Sequence, residues 1–225
     1  MNRFLLALGA LGLVFGLVFG LLMGFVPIVA VALLVWLVAI AVDRLRRRRS
    51  PASSSGVGAA VGAYAAAFVV VMLLIQLVPY GRAHANPETT GEPQWANART
   101  RELMVNACYG CHSNEVEYPW YANIAPISWG VQHHVEEGRG AVNYSEFGTS
   151  RGHWDETIEV ILEGEMPPAY YTRFGLHPEA DLTDAEIEEL IAGLRATPGL
   201  GEHEDHDDHE DHEDDQDHED DEDDD

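Results

Sequence analysis

Two long apolar runs constrain this chain most. Phe4 to Val42 is nearly free of polar residues, interrupted only by Gly and by Pro27, and Val57 to Val78 carries no charge. In a bilayer every backbone N–H and C=O must find a partner within the chain, so such runs fold as helices. One straight helix over 4–42 would span about 58 Å, against a hydrocarbon core of about 30 Å. Two spans turning near Gly24-Phe25-Val26-Pro27 fit better, and a single over-long tilted helix is the alternative. The expected anchor is therefore residues 1–81, with two or three transmembrane helices at about 4–24, 26–42 and 57–78. The apolar region is too long for the core of an ordinary cleaved signal peptide.

Charge gives the anchor a direction. Arg44 and Arg46–Arg49 lie between the second and third spans, followed by the Ser-rich stretch Ser53–Ser55. The positive-inside rule places that loop in the cytoplasm. Everything after Pro79 is then expected outside it, at or beyond the cell membrane, whether the first block crosses once or twice.

The rest of the chain is acidic. Of the formal net charge of −25, residues 82–201 carry −12 and residues 202–225 carry −18, against +5 for residues 1–81. Such an exterior excludes nucleic acid as a natural partner. Residues 82–94, with His84, Asn86, Pro87, Gly91 and Pro93, read as a linker. Residues 95–200 are long enough for one small domain. Helical patterns are expected over Trp95–Ala107, Pro126–Glu137 (ended by Gly138) and His153–Glu163 (ended by Gly164). A last helix reaches about Ala196, opened by a capping box of Thr183 and Glu186. No strand alternation is evident, so the fold class is all-α.

Within that domain lies Cys108-Tyr109-Gly110-Cys111-His112, which holds the only two cysteines of the chain. C-x-x-C-H is the attachment signature of c-type haem. Two thiols three positions apart can form thioethers with the two haem vinyl groups, and the following His becomes the proximal iron ligand. A thioredoxin-like redox pair expects strand–helix–strand surroundings, which are missing here. A structural zinc site expects four ligands, and there is no second Cys pair. A Cys108–Cys111 disulfide would close a very small loop and stabilise little.

A second axial ligand has six candidates: Met104, Met166, His133, His134, His153 and His177. Met166 is favoured, because Gly164-Glu165 precedes it and Pro167-Pro168 follows it, an irregular loop where a rigid Pro pair can hold a thioether. Met104 sits on a helix face like an ordinary core Met. His177, in Leu176-His177-Pro178, ranks next. A Met/His pair would raise the potential relative to His/His.

The domain resembles the small monohaem c-type "haem-binding domain" family over about residues 95–196. The resemblance rests on Cys108–Ser113, Pro119-Trp120-Tyr121, Ile124-Ala125-Pro126 with Ser128-Trp129, and Val135–Arg139. It continues through Asn143 with Ser145, Gly164–Pro168, and His177-Pro178. One position departs: the family often has an acid before the Val-Glu-Glu-Gly-Arg run, where this chain has His134. The resemblance implies a cytochrome-c-like helical fold with haem c joined to Cys108 and Cys111, His112 as proximal ligand and Met166 as distal ligand. Arg139 has two readings, a partner for a haem propionate or a cation at a helix C-terminus. Trp120 and Tyr121 either line the haem crevice or pack in the core.

The tail, residues 201–225, cannot bury a core and is expected to be disordered. His203, His206, His209 and His212 recur every third position. Weak binding of a divalent transition metal by imidazole and carboxylate is one reading. A solvated low-complexity tail is the favoured one, since spacing in a disordered chain fixes no geometry. No catalytic acid, base or nucleophile constellation is present, so the expectation is not an enzyme. The leading expectation is a membrane-anchored electron carrier serving a redox protein partner. A haem-based gas or redox sensor and a metal-handling membrane protein are its rivals.

Overall fold

The structure, a computed structural model, describes residues 3–49, 56–149, 152–172, 175 and 177–200. The tail histidines His203, His206, His209 and His212 lie outside them. Among the described residues the protein is all-helical, with one isolated bridge, Gly91 to Glu146, and no strand.

Three apolar helices come first: α1 (Arg3–Leu22), α2 (Ile28–Arg49) and α3 (Val57–Ile75). Each is long and apolar enough to cross a membrane, which makes the anchor three-helical. The turn joining α1 to α2 passes through Gly24, whose φ of +64° is strained for a residue with a side chain. Small residues let the helices approach closely. Gly9, Gly12, Gly16 and Gly20 form a stripe down α1. A Cβ at Gly9 would strike the Trp36 indole of α2, and one at Gly12 would strike the Tyr64 hydroxyl of α3. On α3 the buried face is Ala60, Ala63 and Ala67, with Val71 and Ile75 below.

The helical domain hangs from the end of α3. Gln76 ties it there: its amide donates to the Ala125 carbonyl at 2.8 Å, and its side-chain oxygen accepts from the Ala125 N–H at 3.1 Å. The α1–α2 turn abuts the same domain, with the Phe25 ring 5.7 Å from that of His133. The Arg-bearing end of α2 therefore lies at the far end of the bundle, about 33 Å away for a helix of 22 residues.

The domain consists of α4 (Ala98–Ala107), α5 (Tyr109–His112), α6 (Ile127–Ala141), α7 (Thr157–Leu162), α8 (Ala169–Thr172) and α9 (Asp184–Arg195). Asn97 caps α4 by accepting from the Thr100 N–H, and Thr183 with Glu186 forms the capping box of α9. α4 and α9 cross where Gly193 meets Thr100. Arg99 reinforces the crossing with ion pairs to Glu186 at 2.9 Å and Glu189 at 3.1 Å. The core beneath is Leu103, Met104, Leu190, Ile191 and Leu194, extended by Tyr109, Tyr144 and Ile161.

Several readings differ from expectation: α4 begins at Ala98 rather than Trp95, because Asn97 caps it. α6 does not stop at Gly138 but runs to Ala141, since Gly138 serves close packing rather than a cap. α7 begins at Thr157 rather than His153, because Trp154 is drawn into an aromatic cluster with Phe147 and Tyr144. Residues 82–94 are non-helical but pinned to the domain. Thr90 and Gly91 donate to the Ser145 carbonyl, Phe147 donates back to Gly91, and the Asn114 amide donates to the Glu88 carbonyl.

Candidate functional site

α4 ends at Ala107, and the Cys108 N–H still donates to the Met104 carbonyl. The chain then rewinds at once as the one-turn α5. The His112 N–H bonds to the Cys108 carbonyl at 3.0 Å, so the two cysteines lie one turn apart on one helical face. No disulfide joins them. α6 presses directly on this turn. At Gly138 a Cβ would stand 2.7 Å from the Cys111 carbonyl oxygen and 2.9 Å from its Cβ, so only glycine allows the contact.

Behind the turn a buried polar network holds the following loop. The Asn143 amide donates to the Asn114 side-chain oxygen at 2.9 Å, and Asn143 in turn accepts from the Ser145 N–H. The Asn114 N–H donates to the Ser145 hydroxyl, and the Tyr144 N–H to the His112 carbonyl. This brings the Val142 carbonyl within 3.1 Å of His112 Nδ1. Nδ1 is then the protonated nitrogen, and the Nε2 lone pair is left for a metal. Burial lowers the pKa of His112, against the opposing pull of the Val142 and Gly138 carbonyls, so its resting form is the neutral imidazole a metal requires.

Cys108, Cys111 and His112 line a cleft of about 280 Å³. Ala107, Ala141, Val142, Val160 and Ile161 supply apolar wall, and Met166, Pro167 and Pro168 close one side. α7 positions Met166. Gly164, at φ +71°, turns the chain, and the Glu165 and Met166 N–H groups both bond back to the Val160 carbonyl at 2.9 and 3.1 Å. Met166 is 37 % exposed, an unusual position for a Met that merely fills a core.

Burial drives the Cys108 thiol up to about 12, with Cys111 adding to the effect, and drives Cys111 up to about 11. A redox-active dithiol needs the opposite, a thiol lowered toward neutrality. No cluster of three or more His, Cys, Asp or Glu side chains among the described residues could hold a metal ion. The donor set is thus two thiols, one oriented imidazole and one thioether in an apolar cleft. Those residues fit haem.

The remaining candidates are distributed elsewhere. Met104 is wholly buried in the core. His134 and His153 share the cleft with Met166. The His134 Nε2 lies 3.3 Å from the Gly24 carbonyl, and the His153 Nδ1 lies 3.1 Å from Glu156. His133 pairs with Glu137. Trp120, Tyr121 and His177 do not line the cleft. The 3-10 turn Trp120–Asn123 directs Trp120 and Tyr121 to a second cavity facing α1 and α2, where His177 joins them, and Trp120 is 76 % exposed rather than packed. Arg139 does not line the cleft; it lies in the last turn of α6, a favourable place for a cation. It donates to the Ser113 carbonyl at 2.7 Å, the Ala85 carbonyl at 3.0 Å and the Asn86 side chain at 2.9 Å, stitching residues 85–86 to the loop after the motif.

Sequence reasoning missed Gly138, the Val142 carbonyl, Tyr170 and Tyr171, which complete the cleft and its supports. It also missed Glu92, which accepts from Trp95 at 3.0 Å, Arg101 at 2.7 Å and Tyr109 at 2.5 Å and so anchors the middle of the motif.

No curated protein and no solved structure matches the chain. A family match covers residues 70–196, from the last turns of α3 through α9, more than half of the sequence. The structure thus places a haem-compatible cleft in an all-helical domain at the end of a three-helix anchor, and the chain belongs to the haem-binding domain family.

Proposed function

We propose that this haem-binding membrane protein is a c-type cytochrome that holds one covalent haem and passes electrons on the extracytoplasmic side. The observation that carries the reading is the shared cleft of Cys108, Cys111, His112 and Met166. Bound haem supplies a one-electron ferric–ferrous couple. The chain supplies the rest. Cys108 and Cys111 offer the thiols for two thioether links, and α6 holds them in register through Gly138. His112, oriented by Val142, would hold the iron through Nε2, and Met166 would hold it through its thioether sulfur. The apolar wall excludes water and favours the less charged iron state.

Two features support the side of the membrane. The Arg cluster of α2 lies at the far end of the bundle from the domain, which the positive-inside rule assigns to the cytoplasm. Covalent haem attachment through C-x-x-C-H belongs with an extracytoplasmic domain. The acidic surface favours a redox partner with a basic docking patch.

Visible and near-infrared spectra of the purified full chain test this reading. The ferric protein should show a weak near-infrared sulfur-to-iron band that vanishes in Met166→Ala, and the ferrous protein should bind carbon monoxide slowly. Persistence of the band in Met166→Ala rejects Met166 as ligand. Rapid carbon monoxide binding to the native ferrous form favours the sensor over the carrier.

A further inference from the structure

A second cavity, of about 370 Å³, lies between the membrane hairpin and the haem domain. Phe19, Met23 and Ile28 of α1, the turn and α2 form its membrane side, and Trp120, Tyr121 and Ile127 form its domain side. It therefore lies at the level where the apolar helices α1 and α2 meet their connecting turn. Three further observations say what kind of molecule suits it.

The first is its neighbour. Cys111, His134, Tyr170 and Tyr171 line both this cavity and the haem cleft, so a single layer of side chains separates the two. The second is a hydrogen-bonded chain leading out. Tyr121 Oη lies 3.1 Å from His177 Nε2, and His177 Nδ1 lies 3.2 Å from a Glu179 carboxylate oxygen. Since the carboxylate can only accept, His177 donates through Nδ1 and accepts the Tyr121 proton at Nε2. The His177 side chain is 19 % exposed and that of Glu179 is 50 % exposed, so the chain runs from the cavity to water. The third is rigidity. The His177 ring stacks on Tyr171 at 3.9 Å with the planes 4° apart, which fixes the relay against the shared wall.

A plain lipid acyl chain would use the apolar walls but neither the relay nor the wall shared with haem. From the juxtaposition of these features we propose that the cavity is a binding site for a membrane-soluble hydroquinone, the electron donor to the haem. This inference rests on the electron-carrier reading and names its substrate class.

The balance is complete. Oxidation of one hydroquinone to a quinone breaks two O–H bonds and releases two electrons and two protons. The electrons leave one at a time across the Tyr170–Tyr171 wall to ferric haem iron. An oxidised one-electron protein acceptor outside the membrane restores the ferric state between the two transfers. Each proton passes to Tyr121 Oη as the tyrosine's own proton moves to His177 Nε2. The Nδ1 proton of His177 moves to Glu179, which releases it to water, and exchange with water returns His177 to the Nδ1–H tautomer before the second transfer.

The test uses the haem-loaded full chain in lipid nanodiscs, with a photoreactive decyl-benzoquinone for binding and decyl-hydroquinone for stopped-flow reduction. Labelling should fall on peptides containing Phe25–Ile28 and Trp120-Tyr121. Ile127→Trp, at a 47 % exposed cavity position, should lower labelling by at least about tenfold, as a filled pocket loses its ligand contacts. Tyr121→Phe, which removes one hydroxyl, should label like the parent but slow hydroquinone-driven reduction by roughly 100-fold, the low end of what a positioned proton acceptor contributes. All three proteins should be reduced equally by dithionite. Labelling that is absent, that survives Ile127→Trp, or that phospholipid displaces while excess quinone does not, overturns the proposal. So does hydroquinone-driven reduction at the parent rate in Tyr121→Phe. Failure of dithionite to reduce the parent would instead reject the carrier reading itself.

Discussion

Gly138 and Gly140 lie two residues apart on α6, yet an added methyl should act on them in opposite directions. At Gly138 an alanine Cβ would stand 2.7, 2.9 and 3.0 Å from the oxygen, Cβ and carbonyl carbon of Cys111. Ordinary carbon contacts lie near 3.5–4.0 Å. Two of these neighbours are backbone, so no side-chain rotation relieves the clash, and α6 must shift by roughly 0.5–1 Å away from the turn that carries the thiols. Overpacking of that kind costs about 1–3 kcal/mol. At Gly140 a Cβ meets nothing within 4 Å. Both substitutions gain the same helix propensity, about 1 kcal/mol. Gly140→Ala should therefore stabilise by about that amount, and the difference between the two variants isolates the clash. For a domain of this size the difference corresponds to roughly 4–8 °C in melting temperature per kcal/mol. Thermal unfolding of the full chain in detergent, followed by near-ultraviolet circular dichroism, measures it. Covalent haem content on a denaturing gel should also fall in Gly138→Ala alone. Melting temperatures within a degree of each other, with equal haem content, would refute the role assigned to the α5–α6 contact.

Further outcomes follow from other contacts. Arg139→Gln should destabilise by about 2 kcal/mol, mostly through the half-buried bond to Ser113, and should speed amide exchange at Ala85 and Asn86. For Glu92, burial acts to raise the pKa, but hydrogen bonds from Tyr109, Trp95 and Arg101 outweigh it and hold the carboxyl below its ordinary value. A carboxyl lowered by folding contributes stability above its unfolded pKa and loses it as pH falls through the folded one. The parent should therefore lose stability below about pH 4 in a way that Glu92→Gln does not, and parallel acid-melting curves would count against the anchor role. Alkaline phosphatase fused after Ala196 should be active in cells and inactive when inserted in the loop between α2 and α3; the reverse pattern would invert the topology.

Fold class and anchor were readable because apolar runs of that length leave a bilayer-spanning helix as the economical solution, and because Thr183 and Glu186 mark a helix start with local chemistry. The thiol pair and its His stand out in the sequence because their spacing matches the proposed chemistry. Other parts depend on what meets what in space. Gly138 looks like a helix terminator in one dimension and is a contact surface in three. Residues 82–94 lack apolar periodicity and read as a tether, yet Asn86, Thr90 and Glu92 fix them by polar bonds that periodicity does not report. Trp120 and Tyr121 read from the sequence either as crevice lining or as packed core, and the structure gives them neither place. The packing of the membrane hairpin on the domain, which no local pattern encodes, opened a second cavity for them.

The proposed function depends above all on covalent attachment of haem to Cys108 and Cys111. A pyridine haemochrome spectrum of the purified full chain, beside Cys108→Ala/Cys111→Ala, tests it most directly. Covalent attachment gives the c-type spectrum of two saturated side chains, haem that remains with the polypeptide after acid–acetone extraction, and loss of both in the double variant. A haem that extracts into the solvent, or an unchanged spectrum in the double variant, would contradict it.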